Sequence, residues 1–159
     1  MPNFGDPRDA VMIDDKICKG AGKILTHDGT NNKVDLSAVG EYAVGISAGE
    51  SERAAGGSMD ITAAKVSFYP LGGVLMVQSA ASVVYTTGDT VYVTNGGLCT
   101  TSNGSSAKKL GIYVGKGETG AALVDSFAGD GLTDAGVVGT ATTEGTLVPI
   151  ATWGAELAA

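Results

Sequence analysis

Short apolar runs cut by glycine turns constrain this chain more than any other feature, and the pattern occurs twice. Ile17-Cys18-Lys19-Gly20-Ala21-Gly22-Lys23-Ile24-Leu25-Thr26 can be laid over Tyr92-Val93-Thr94-Asn95-Gly96-Gly97-Leu98-Cys99-Thr100-Thr101. Val44-Gly45-Ile46-Ser47-Ala48-Gly49-Glu50 is echoed by Leu110-Gly111-Ile112-Tyr113-Val114-Gly115-Lys116, and residues 58–62 by residues 121–125. With 25 glycines in 159 residues, long helices are disfavoured, because each helical glycine costs about 1 kcal/mol relative to alanine. Val, Thr and Tyr suit a pleated sheet. The expectation is a mainly β chain: a small barrel or sandwich built from two pseudo-repeated units. A duplicated β unit without a catalytic cluster points to a structural or binding module rather than an enzyme.

Strands are predicted at residues 34–36, 42–47, 58–63, 65–70, 74–77, 90–93, 98–100, 108–114 and 121–124. A hairpin is expected around Lys19-Gly20-Ala21-Gly22, and a firmer one around Asn95-Gly96, a dipeptide that tolerates the positive φ of tight turns. Residues 79–82 could form one helical turn. Residues 1–13, with Pro2, Gly5 and Pro7, read as an extended arm whose Phe4 could anchor on a neighbour. Residues 14–126 form the barrel domain. Residues 127–159 are a C-terminal extension, and the sole tryptophan, Trp153, argues that its end docks somewhere.

Asp+Glu number 17 against 10 Lys+Arg, a net charge of −7. No basic stripe could neutralise phosphates, so direct nucleic-acid binding is not expected. The apolar stretch around Val74-Leu75-Met76-Val77 is too short to span a bilayer, so no membrane partner is expected either. Asp6, Asp9, Asp14 and Asp15 stand where a secretory signal needs basic and then apolar residues. Cys18 and Cys99, with no CxxC, read as two half-buried thiols in a reducing compartment.

Two motifs imitate active sites. Gly45-Ile46-Ser47-Ala48-Gly49 has the GxSxG spacing of a nucleophile elbow. The one histidine, His27, precedes the serine, however, and the repeat places Tyr113 at the equivalent position. Gly115-Lys116-Gly117-Glu118-Thr119-Gly120 has the GxGxxG spacing but lacks a following helix and a suitably placed acidic residue. Asp28, Asn31, Asn32 and Asp35 lack the EF-hand spacing, and one histidine with two distant cysteines makes no zinc site. No metal or other cofactor is expected.

Gly45-Ile46, the Gly72-Gly73-Val74 break, Thr87-Gly88-Asp89-Thr90-Val91-Tyr92-Val93, and Leu110-Gly111-Ile112-Tyr113-Val114 with Gly120 after it resemble the phage capsid-cement proteins. The likeness covers residues 12–126 and extends more distantly to lambda-like head decoration proteins. It implies a β-tulip-like domain in a virion protein, made in the host cytoplasm and bound to the outside of an icosahedral head. It also implies a homotrimer whose partner is the major capsid protein. The arm would add a strand to a capsid loop, with Pro2, Asn3, Phe4, Pro7 and Arg8 as contacts and Trp153 as a tail anchor. The alternative is another virion or surface β module: a head-fibre base, a tail component or a carbohydrate-binding domain.

Overall fold

The computed structural model describes residues 7–13, 16–29, 32–51, 64–115, 138–141 and 143–158. The described residues are mainly β and contain no helix. Among the described residues twelve strands run in chain order: β1 (Arg8–Val11), β2 (Ile24–His27), β3 (Val34–Leu36), β4 (Ala43–Ser47), β5 (Lys65–Pro70), β6 (Val74–Gln78), β7 (Val83–Thr86), β8 (Thr90–Thr94), β9 (Leu98–Thr100), β10 (Lys109–Tyr113), β11 (Val138–Ala141) and β12 (Leu147–Ala151). They form two five-stranded sheets, ordered β1-β5-β4-β2-β3 and β6-β12-β10-β8-β9, and a two-stranded ribbon β11-β7. Every pairing within these sheets is antiparallel. No closed barrel is formed among the described residues.

Local chemistry accounts for the clearest elements. In β8, Val91 and Val93 are buried while Thr90, Tyr92 and Thr94 are half-buried, the alternation of a strand with one face on a core. Gly96 and Gly97 at φ 75° and 74° turn the chain into β9, with Thr94 opposite Leu98 and Tyr92 opposite Thr100. That left-handed conformation is cheap for glycine and strained for other residues.

The two large sheets share more than strand number. Taken in chain order, both read first-fifth-fourth-second-third. Ile24 faces Ile46 and Leu25 faces Gly45, with a register shift before Thr26 meets Ala43. In the other sheet Thr90 faces Ile112 and Val91 faces Gly111, with a shift before Tyr92 meets Lys109. Isolated parallel bridges join Met12 to Val34 and Ser79 to Cys99. Gly22 donates to Ser47 and Gly88 to Tyr113; Met12 donates to Ala64 and Ser79 to Thr146. Gly45 and Gly111 thus hold the same place in the two sheets. β7 and β11 have no counterpart among the described residues.

Ile24, Ala43 and Ile46 of the first sheet pack into one core with Val77, Val91, Val93, Leu110, Val148 and Ile150 of the second. Leu25, which alternation points the other way, belongs to a second cluster with Met12, Cys18, Val34, Ala64 and Val66.

Several expectations need correction. The hairpin at Lys19-Gly20-Ala21-Gly22 does not form, because Cys18 exchanges main-chain and hydroxyl bonds with Ser51 instead of pairing with β2. Laying residues 17–26 over residues 92–101 therefore has no structural counterpart: β2 occupies the place of β8, not of β9. No helical turn forms at residues 79–82; Ser79 bridges to Cys99 and Ser82 has φ 59°. The strand β7 that follows was not anticipated. Residues 8–11 do not stand free as an arm, since β1 pairs with β5 along the edge that strand would otherwise expose. Residues 147–151, assigned to the extension, form β12 between β6 and β10. The strands expected at residues 58–63 and 121–124 lie outside the described residues.

Candidate functional site

Of the residues expected to contact a capsid, Pro2, Asn3 and Phe4 lie outside the described residues. Pro7 and Arg8 are exposed. Arg8 opens β1 opposite Phe68, and the outward-facing Asp9 accepts a 2.7 Å hydrogen bond from the Ser67 hydroxyl. Met12, one residue past β1, has no exposed surface and bonds to the Ala64 carbonyl at 2.8 Å. β1 is therefore an edge strand paired along one side with β5 and fixed at its end by a buried methionine that bridges to Val34 of β3 on the other.

Trp153 is 69% exposed, so the indole does not dock on its own chain. The chain end is held by other groups. Glu156 donates its N–H to the Lys109 carbonyl at 2.9 Å, its carboxylate accepts from the Lys109 N–H at 3.3 Å, and it pairs with Lys108 at 3.5 Å. The Lys108 ammonium also sits 4.7 Å above the Tyr42 ring. Leu157 is exposed and lines a shallow depression with Tyr42, Val44 and His27.

An apolar groove of about 580 Å³ lies where the two large sheets meet. Its walls are Ala21, Gly22, Ile46, Ala48 and Tyr69 on one side and Val74, Leu75, Met76 and Leu147 on the other. Gln78 ties the two sheets together, donating its N–H to the Gly22 carbonyl (2.8 Å) and its amide to the Ala21 carbonyl (2.6 Å). Sequence reasoning missed this groove, because its walls come from strands far apart in the chain.

Ser47 is buried on β4. Its hydroxyl donates to the Gly20 carbonyl at 2.9 Å and accepts from the Lys23 N–H at 2.9 Å. It thereby ties a glycine turn to a strand. His27 accepts from the Gly29 N–H through Nδ1 and meets Asn32 through Nε2. It lies four residues along β2 from Lys23, the residue bonded to Ser47, which is about 13 Å at strand rise.

Both cysteines are free and buried. Burial raises the Cys18 thiol above its ordinary pKa and pushes Cys99 up to about 12. Cys99 lies 3.4 Å from the Tyr85 hydroxyl, which shares a 2.6 Å bond with Ser79, and burial raises Tyr85 as well. Tyr85 and Tyr113 pack with ring centroids 5.2 Å apart. This constellation sits in the core and serves packing. Among the described residues no group of three or more His, Cys, Asp and Glu gathers as a metal site.

No protein-family model, curated protein or solved structure matches this chain.

Proposed function

We propose that this protein decorates and stabilises an icosahedral phage head, binding its outer surface through the N-terminal residues as a homotrimer. The observation that carries the reading is the pair of motifs Thr87-Gly88-Asp89-Thr90-Val91-Tyr92-Val93 and Leu110-Gly111-Ile112-Tyr113-Val114, which resemble the capsid-cement pattern and lie side by side as β8 and β10. A rigid β body with an edge strand beside its N-terminus supports it further. Strand addition supplies main-chain hydrogen bonds to a partner loop without asking for any chemistry. Repetition of modest contacts around symmetry axes supplies retention through effective concentration. A net charge of −7 disfavours binding of free copies to DNA before assembly.

The test is co-sedimentation of the purified chain with expanded, undecorated heads. Binding, with a gain in head stability, is the expected result; a chain that stays in the supernatant and leaves head stability unchanged overturns the reading. A second reading, a carbohydrate-binding surface module, draws on the exposed indole of Trp153, since sugar sites use aromatic platforms. Glycan-array hits that vanish in Trp153→Ala would favour it.

A further inference from the structure

The contact between the two large sheets is one-sided. The second sheet offers β6 and the β8–β9 turn: Gln78 bonds to Gly22, the Gly97 carbonyl accepts from Ile24, and the Gly97 N–H donates to the Ser37 carbonyl. The first sheet offers residues 21–24, Ser37 and the face bearing Ile46. Register equivalence maps Gln78 onto Val11, Gly22 onto Gly88 and Ile46 onto Ile112. A two-fold relation would also set Val11 against Gly88. It does not: Gly88 is exposed, and a Cβ there would meet nothing within 4 Å. The relation is head-to-tail, so the second sheet carries, at Gly88 and Ile112, the counterpart of the surface that the first sheet buries at Gly22 and Ile46.

The side chains bear this out. Ile46 is 1% exposed because the second sheet covers it, whereas Ile112 is 37% exposed. At the other end of the molecule, Met12 N–H is spent on Ala64, which leaves the N–H of Val11 directed away from β5, as Gln78 N–H is directed away from β12. Val11, half-buried, thus holds the donor position of that contact and the exposed Gly88 the acceptor position.

We infer that a second copy of this chain docks β1, through Val11, onto the Gly88 and Ile112 surface of the first, repeating between chains the contact made within each. Such heterologous contacts close into rings when the rotation permits and otherwise extend as filaments. Thr90 and Lys109 stand where the first sheet has Ile24 and Ala43, so the contact between chains is more polar than the one within, and reversible. The inference concerns copies of the free chain and does not depend on binding to a phage head.

The experiment uses the full chain without heads. A photo-cross-linking residue replaces Ile112, and adducts are mapped by peptide mass spectrometry beside light scattering at tens of micromolar. The expected result is a mass above the monomer and adducts on residues 7–11 and Lys65 of another copy. Ile112→Asp, at an exposed position, should weaken association about tenfold or more with the far-ultraviolet spectrum unchanged. A monomer at these concentrations overturns the inference, and so does an oligomer whose adducts map elsewhere.

Discussion

Glycine does two separate jobs in this chain, and they respond differently to the same substitution. A Cβ on Gly111 would run into the Ala151 carbonyl of β12, so close approach of two backbones requires its absence. Gly49 would meet nothing within 4 Å. Gly111→Ala is therefore expected to cost about 3 kcal/mol, and Gly49→Ala to stay within about 0.5 kcal/mol, both read from urea unfolding midpoints. The buried thiol gives a second prediction. Cys99 holds its proton up to about 12 when folded, against an ordinary 9.0. Folding thus gains from the protonated thiol fully below pH 9 and loses that gain as pH climbs towards 12. Tyr85, also raised by burial, acts in the same direction. Urea titrations between pH 8 and 11 should show falling stability, with a shallower fall in Cys99→Ala.

At the scale of elements, the ends of the chain divide where the sequence did not divide them. Residues 8–12, read from sequence as arm, belong to the fold through β5 pairing and the buried Met12. Deleting residues 1–6 should leave the thermal midpoint unchanged while weakening capsid binding. Deleting residues 1–12 should lower the midpoint by several degrees, because it opens the core beneath Met12 and bares the edge of β5. Differential scanning calorimetry separates the two. β12 tolerates Pro149 within a three-strand neighbourhood because its carbonyl side faces Val114, one residue beyond the end of β10. The missing N–H faces that same residue and forfeits a single bond at the end of the ladder, not in its middle.

For the molecule as a whole, the last strand completes the second sheet. β12 separates β6 from β10, and Val148 and Ile150 are fully buried. A chain ending at Thr146 should therefore lack cooperative unfolding, as monitored by circular dichroism. Trp153→Ala, at a largely exposed site, should unfold within about 0.5 kcal/mol of the parent. The two large sheets share strand order and register, and the groove lies where they meet, not in any one segment.

Strand chemistry and local turns were legible without coordinates. Val91-Tyr92-Val93, closed by Asn95-Gly96-Gly97, carries its own alternation and its own turn, so β8 and β9 follow from neighbours in sequence. Residues 17–18 and 147–151 show the limit. Each is apolar and each could pair, but the partner is Ser51 in one case and β6 and β10 in the other, and no local signal ranks those choices. Pairing partner, burial of both faces of β12 and the one-sided stacking of the sheets depend on long-range hydrogen bonds and on which apolar faces meet. Those are properties of the assembled chain, because a strand's free energy lies largely in what it is placed against.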